Sequence, residues 1–512
     1  MRNGKNEEWK KNGKKMEKKW EKMGKLENGK KLEKMGKKIE NPNFSFVFNK
    51  IMIRPLWKSF TYFPHQLDGI KWMLHNENGV TLEDSKDIIK GGLQCDDMGL
   101  GKTIQITSVI INNVVPLTLL IAPLAMIDTW SSVLQRTGCS VYHIDSGKWV
   151  LINPDSPIPR HFIKLRPIVY ISNYEKLYRN PSLFSKKWGR VVLDEAHKIR
   201  NGDGQIAIAA RNIVAPIRWA VTGTPLVNSL KDVVSLLAFI GVSHSVLWRW
   251  EPRYIRMLPD LLIHRDLRSI NLSNAPPLPE IYNVELPFTS EEEEDFYYGV
   301  QDITSLKYAT ESISSTEAFK LLLRLRQISV HPQVYINAKR RESLYLRPDW
   351  SAPSTKLDKI KEIITSDVGV HKYIIFCQFN DEMALLEEFL RPFVKHILLY
   401  NGSMTQKERG DVLARSKETV ETTVLLLQLQ AGGVGLNLQE YDRIIFVSPW
   451  WTSALIDQAI ARAVRMGQTE VVKIYHLHLS AEKTSTINID SLVNSKAEEK
   501  RKMLVKLFEV CQ

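Results

Sequence analysis

The chain has 512 residues, 44% of them apolar, and a formal net charge of +13. That suffices for a packed core in roughly two to four domains. No apolar run approaches the roughly 18 residues of a membrane span, and no apolar leader opens the chain. Cys95, Cys139, Cys377 and Cys511 are scattered without a C-x-x-C. This argues against a zinc site or a disulfide framework and suits a reducing, intracellular setting rather than secretion.

Residues 1–40 hold 15 Lys/Arg against 7 Asp/Glu, so most of the net positive charge lies there. This low-complexity stretch repeats Glu-Lys-Met-Gly-Lys and places Met16, Trp20 and Met23 at helical spacing, with Gly24 and Gly29 as interruptions. It reads as a solvated, partly helical tail, or as a basic arm for DNA phosphates or nuclear import. Farther along, Pro64 can open a helix whose apolar face is Leu67, Ile70 and Met73 or Leu74. On that helix the amide of Gln66 can pair with the N6/N7 edge of adenine.

The central motif follows. Gly91–Cys95 reads as a strand end, Asp96-Asp97-Met98-Gly99-Leu100-Gly101-Lys102-Thr103 as a phosphate-binding loop, and Thr103–Ile110 as a helix. A strand, a glycine turn and a helix N-terminus give backbone N–H groups and a helix dipole aimed at an anion. Lys102 can reach the β- and γ-phosphates, and the Thr103 hydroxyl can ligate Mg²⁺. The full formula has Gly where this chain has Asp96.

Apolar strands with polar C-terminal ends then alternate with helices, at Leu117–Ala122, Pro167–Ile171, Arg190–Leu193 and Trp219–Val221. This is the pattern of an open parallel α/β sheet, whose ligands bind at those strand ends. Asp194-Glu195 ends the third of these strands. Asp194 can hold Mg²⁺ through water, and Glu195 can orient the attacking water and accept its proton. A zinc reading of Glu195 and His197 lacks a second ligand at helical spacing.

Residues 246–353 read as a connecting region. The acidic run Glu291–Asp295 suits a helix's first turn. Arg324 and Arg326 are expected either on phosphates or as solvated helix charges. A second alternating set begins at Lys372, with strands at Tyr373–Phe376, Ile397–Tyr400, Val424–Leu429, Ile444–Val447 and Val472–Leu477. Arg462 and Arg465 are three apart, which puts them on one helix face. From there they can reach a γ-phosphate held by a facing lobe, as arginine fingers do. Lys496–Phe508 reads as a charged helix bracing the second lobe.

These motifs resemble those of the Swi/Snf-like helicase-related ATPases of helicase superfamily two, from about Phe60 to Leu479. Asp96–Thr103, Asp194–Asn201, Thr222–Asn228, Arg326–Pro332, Ala431–Leu438 and Gln458–Gln468 stand in the family's order. The resemblance implies two RecA-like parallel-sheet lobes with ATP in the cleft between them and double-stranded DNA across both. It implies Gln66 as adenine reader, with Asp97, Met98, Gly99, Leu100, Gly101, Lys102, Thr103 and Gly435 around the nucleotide. Thr103 and Asp194 would hold Mg²⁺; Lys102, Asp194, Glu195, Arg462 and Arg465 would carry the chemistry. Pro449-Trp450-Trp451 is similar to the branch of helicase-like transcription factors, yet the Cys/His-rich ring finger of those relatives has no counterpart here. Thr452-Ser453, Val464 and His264 stand where the family usually has Asn-Pro, His and Arg.

The expected domains are a basic tail (1–42), a first lobe (43–245), a connecting helical region (246–353), a second lobe (354–481) and a C-terminal helix (482–512). The expected function is a DNA-dependent ATPase translocating on duplex DNA. The alternative is a strand-separating DNA or RNA helicase. The expected setting is a monomeric motor at a nucleus or viral replication site that acts on DNA-bound proteins, without membrane or zinc.

Overall fold

The computed structural model describes residues 52–82, 87–152, 166–243, 247, 258–267, 270, 276–310, 312–432, 436–465, 467–480 and 488–511. The basic tail and Gly435 lie outside them.

The first lobe begins with α1 (Pro64–Asn78), whose first helical residue is proline. A short antiparallel pair follows, β1 (Val80–Thr81) and β2 (Ile88–Ile89). Then come β3 (Gly91–Gln94), α2 (Lys102–Asn112), β4 (Thr118–Ile121), α3 (Ile127–Arg136), β5 (Ser140–Asp145) and β6 (Lys148–Leu151). The lobe continues with β7 (Ile168–Ser172), α4 (Tyr174–Arg179), β8 (Arg190–Asp194), α5 (Gln205–Arg211), β9 (Ile217–Val221), α6 (Leu230–Ile240) and β10 (Leu262–Ile263). Its sheet has eight strands in the order β10-β3-β9-β8-β4-β7-β5-β6, all parallel except β6. β3, β4 and β8 are buried along their whole length, which is why Leu119–Ile121 and Val191–Leu193 read as continuous apolar runs rather than alternating ones.

The second lobe starts with β11 (Glu280–Leu286), α7 (Glu291–Thr310), α8 (Ser315–Val330), α9 (Pro332–Glu342), α10 (Thr355–Ser366) and β12 (Lys372–Cys377). It is completed by α11 (Asn380–Leu390), β13 (His396–Tyr400), α12 (Gln406–Glu418), β14 (Thr423–Gln428), β15 (Arg443–Phe446), α13 (Ser453–Ile460), β16 (Lys473–Leu479) and α14 (Ile489–Cys511). Six parallel strands run in the order β11-β16-β15-β12-β14-β13. Successive residues point to opposite faces. Ile375, Leu426, Ile445 and Leu477 pack against helices α7, α8, α10 and α11. Ile374, Leu425, Ile444 and Ile474 pack on the other side with Ala459 and Ala463.

The expected pair of α/β lobes is therefore present. Sequence reading passed over β5, β6, β10 and β11. β10 completes the first sheet and β11 the second, both from the stretch expected to connect the lobes. α14 reaches farther than a brace for the second lobe. Ile489 and Val493 sit in that lobe's core, whereas Leu507 and Phe508 are buried in the core of the first.

Candidate active site

Strand order builds this site. β3, β9 and β8 are neighbours, so the loop after β3, Thr222-Gly223-Thr224 after β9 and Asp194-Glu195 after β8 emerge side by side. The loop enters α2 through Gly101, a left-handed residue with φ 78°. A Cβ there would stand 2.5 Å from Gln66 Nε2. Lys102 Nζ donates to the carbonyls of Asp96 (2.8 Å) and Asp97 (3.1 Å). Both acceptors are neutral, and an ammonium bonds more strongly to phosphate oxygens. The Leu100 carbonyl accepts from Gln66 Nε2 (3.4 Å) and Gln105 Nε2 (3.3 Å) and meets His65 Nε2 at 3.1 Å. Gln66 thus stands at the loop, its Oε1 accepting from the Phe63 N–H. Asp97 turns its carboxylate back toward the chain after β10 and accepts from the Leu267 N–H (3.1 Å).

Asp194 ends β8 and Glu195 follows in a left-handed conformation, φ 50° and ψ 50°. A non-glycine residue in that region is strained, and such strain gathers at functional positions. Glu195 Oε2 lies 3.3 Å from His197 Nδ1, which also meets Thr222 Oγ1 at 3.3 Å. Burial and the neighbouring Glu195 charge push Asp194 up to about 6. Burial pushes Glu195 up as well, but the adjacent His197, with Lys102 and Arg462, outweighs it and holds Glu195 ionised. Asp194 Oδ1 accepts from the Glu195 N–H (3.0 Å) and Oδ2 from Trp130 Nε1 (2.7 Å). Each carboxylate oxygen keeps acceptor capacity beyond that one bond. Carboxylate oxygens of this kind are donors that Mg²⁺ prefers.

The second lobe meets this cluster from the other side. Gln458 Nε2 donates to Thr224 Oγ1 across the lobes at 3.4 Å. Arg462 lies close enough to Glu195 and Asp194 for their charges to act on it, although burial dominates and lowers its pKa. Neither Arg462 nor Arg465 lies on a helix face. α13 stops at Ile460, and both arginines sit in the turns that follow. Arg324 and Arg326 differ from expectation too. Arg326 is stacked over Trp450 (4.8 Å) and Trp451 (5.7 Å), donates to Gln378 Oε1, and is pulled down to about 10 by burial. Arg324 pairs with Glu342 at 2.6 Å. Neither is a solvated charge.

Residues 65–334 match the SNF2-related domain family, and residues 355–467 the helicase conserved C-terminal domain. The chain belongs to the SNF2-related family. As such it is a helicase-like ATP hydrolase. A "Probable global transactivator" of Orgyia pseudotsugata multicapsid polyhedrosis virus is 26% identical over 87% of this chain and 91% of its own length. "Chromodomain-helicase-DNA-binding protein 1-like" of Danio rerio is 27% identical over 81% of this chain and 41% of its own. "DNA repair protein RAD5B" of Arabidopsis thaliana is 24% identical over 82% and 46%. This chain therefore spans less than half the length of the last two. The Sulfolobus solfataricus SWI2/SNF2 ATPase core, solved in complex with dsDNA, covers 90% of this chain at 22% identity with a TM-score of 0.37.

Two supports of this SNF2-related site lie outside the sequence motifs. Asp96, in the position of the formula's Gly, is fully buried and paired with Arg265, which follows β10. Arg265 Nε donates to Asp96 Oδ1 at 2.9 Å, and its other nitrogens reach Gln105 Oε1 (2.9 Å) and the His65 carbonyl. Gly69 leaves the space, since a Cβ there would fall 2.4 Å from an Arg265 nitrogen. The other support is the grip of Trp130 and Tyr174 on Asp194; the Tyr174 hydroxyl donates to the Asp194 carbonyl at 2.6 Å. Only an Arg next to the expected-Arg position at His264 hinted at the first, and nothing local pointed to the second.

Between the lobes runs a cleft of about 300 Å³. Pro123, Leu124, Ala125, Tyr174, Glu175 and Lys198 line it from the first lobe, and Gly402, Arg409, Gln428, Gln430 and Ala431 from the second.

Proposed function

We propose that this chain hydrolyses ATP between its lobes and uses the cycle to translocate on double-stranded DNA without separating the strands. The observation that carries this reading is the meeting of the lobes at the carboxylates, where Gln458 of the second lobe donates to Thr224 of the first, beside the His197 that faces Glu195. A site completed only when two lobes meet links phosphate chemistry to lobe movement. Lys102 binds the β- and γ-phosphates from one side and Gln66 faces the base. Ionised Glu195 orients the attacking water and takes its proton. Arg462, with Arg465 behind it, neutralises charge that develops on the transferred phosphoryl group. Thr103 and Asp194 would hold Mg²⁺, which would supply neutralisation of phosphate charge. The duplex backbone runs over the mouth of the inter-lobe cleft, where Lys198 and Arg409 meet phosphates. Such contacts carry no sequence information, so movement is independent of sequence. The motor works as a monomer and displaces DNA-bound proteins, at a nucleus or a viral replication site.

The test measures ATP turnover with duplex DNA, single-stranded DNA and RNA, and pairs two displacement substrates. A duplex translocase strips the third strand of a triplex and leaves a forked duplex closed. Fork opening without triplex displacement would replace this reading with a strand-separating helicase.

A further inference from the structure

Asp194 is gripped twice from outside the phosphate loop. The Trp130 indole N–H donates to its carboxylate Oδ2 at 2.7 Å, and the Tyr174 hydroxyl to its carbonyl at 2.6 Å. Both side chains are buried, at 0% and 1% exposure. A buried indole N–H needs an acceptor. In the same lobe Trp149 and Trp188 donate to the carbonyls of Leu183 and Phe184, and Trp219 to the structural carboxylate of Glu77, which is paired with Arg190. Trp130 differs in its acceptor, a carboxylate at the C-terminal end of β8 in the candidate hydrolytic pair.

The two helices that carry these donors also reach the inter-lobe cleft. α3 begins directly after the turn Leu124–Met126, and α4 begins at Tyr174 itself. Pro123, Leu124, Ala125, Tyr174 and Glu175 form the first lobe's wall of that cleft. A phosphate backbone pressed against this wall therefore bears on the segments that aim the two donors. A hydrogen bond weakens steeply as its angle closes, and a carboxylate in a dry interior gives up more per lost bond than one in water. Small movements of α3 or α4 are thus felt at Asp194.

We propose that Trp130 and Tyr174 are positioning residues that transmit occupancy of the inter-lobe cleft by a nucleic-acid backbone to the Asp194 carboxylate. The proposal rests on the reading of the chain as a DNA-dependent ATPase and adds the route by which DNA acts.

The experiment uses the full chain and the variants Trp130→Phe, Tyr174→Phe and the double variant. ATP turnover is measured with and without duplex DNA across a DNA titration, beside thermal unfolding. Hydrogen bonds to a charged group are worth enough to expect Trp130→Phe to lower the stimulation ratio by roughly tenfold or more. Tyr174→Phe lowers the ratio by less, and the half-saturating DNA concentration stays where it is. The double variant should fall short of the product of the single effects, because both donors act on one residue. A merely structural role would reduce basal and stimulated turnover in proportion and leave the ratio intact. Wild-type ratios in the folded variants overturn the proposal while the DNA-dependent reading stands. A wild-type chain that DNA does not stimulate overturns both. Tyr174→Phe removes a single hydroxyl, so it carries the test if Trp130→Phe folds poorly.

Discussion

The pair Asp96–Arg265 lends itself to a quantitative test. The Asp96 side chain is fully buried, and that of Arg265 is 17% exposed. Asp96 also accepts from Gln94 Nε2 (2.7 Å) and Gln105 Nε2 (3.0 Å). Replacing Arg265 with Ala leaves the anion with two neutral amides and removes the bonds to Gln105 and to the His65 carbonyl. An uncompensated buried charge costs about 3–5 kcal/mol. That is a large share of the roughly 5–15 kcal/mol that holds a domain together. Asp96→Gly restores the glycine of the phosphate-loop formula, yet it strands the guanidinium, so it should also destabilise. Asp96→Asn with Arg265→Met removes both charges and should cost less than Arg265→Ala alone, by about 1–3 kcal/mol. Urea unfolding followed by tryptophan fluorescence reads the stabilities. A fluorescent ATP analogue reads nucleotide affinity, which should fall in Arg265→Ala because α1, the loop and α2 lose their common tie. An Arg265→Ala chain within about 1 kcal/mol of wild type, or an Asp96→Gly chain with unchanged stability and tighter ATP binding, would refute the argument.

Lys102→Ala should weaken ATP binding and abolish turnover, whereas Glu195→Gln should keep binding and lose turnover; equilibrium binding beside phosphate release separates the two. Arg462→Ala should slow hydrolysis by about 10³-fold or more. Lys in its place should rescue little, and Arg465→Ala should likewise slow the same turnover assay. Burial holds the His331 imidazole down to about 4, and its Nδ1 caps α9 by accepting from the Gln333 N–H at 2.9 Å. The unfolded chain takes up that proton near 6.5, so this stabilisation is complete above pH 6.5 and lost as pH falls toward 4. The loss is about 3 kcal/mol, and His331→Asn, which keeps a capping acceptor, should flatten that share of the difference between urea midpoints at pH 7 and 4.5. Phe508 stacks on His264 with ring centroids 3.5 Å apart. Phe508→Ala should free the end of α14, and trypsin should then cut faster at Lys500–Lys506; an unchanged digestion rate would mean this contact does not hold the helix.

Local pattern reached the parts of the site that local geometry makes. A strand, two glycines and a helix start define the phosphate loop within a dozen residues. Asp194-Glu195 announces itself as an acidic end to an apolar strand. The alternation of buried strands with helices, repeated from Lys372, was enough for two parallel-sheet lobes. Pattern failed where a partner lies far along the chain. Arg265 meets Asp96 from 169 positions away, and Trp130 meets Asp194 from 64. No periodicity encodes such distances; they follow from strand order, which sets β10 beside β3 and sets β4, whose following helix is α3, beside β8.

The same limit explains the misplaced helix face of Arg462 and Arg465. Their three-residue spacing fits a helix and also fits the turns that the structure has after Ile460. Arg326 reads as a phosphate contact or a solvated charge until Trp450 and Trp451 are seen to cover it. The amphipathic pattern of α14 specifies an apolar stripe but not what covers it, and its last turns find the first lobe. Sequence by itself singled out the candidate residues and the local frame that presents each one. Tertiary structure decided which of them share a dry interior, because buried charges and donors are satisfied by whatever the folded sheets bring within about 3 Å, whatever their separation along the chain.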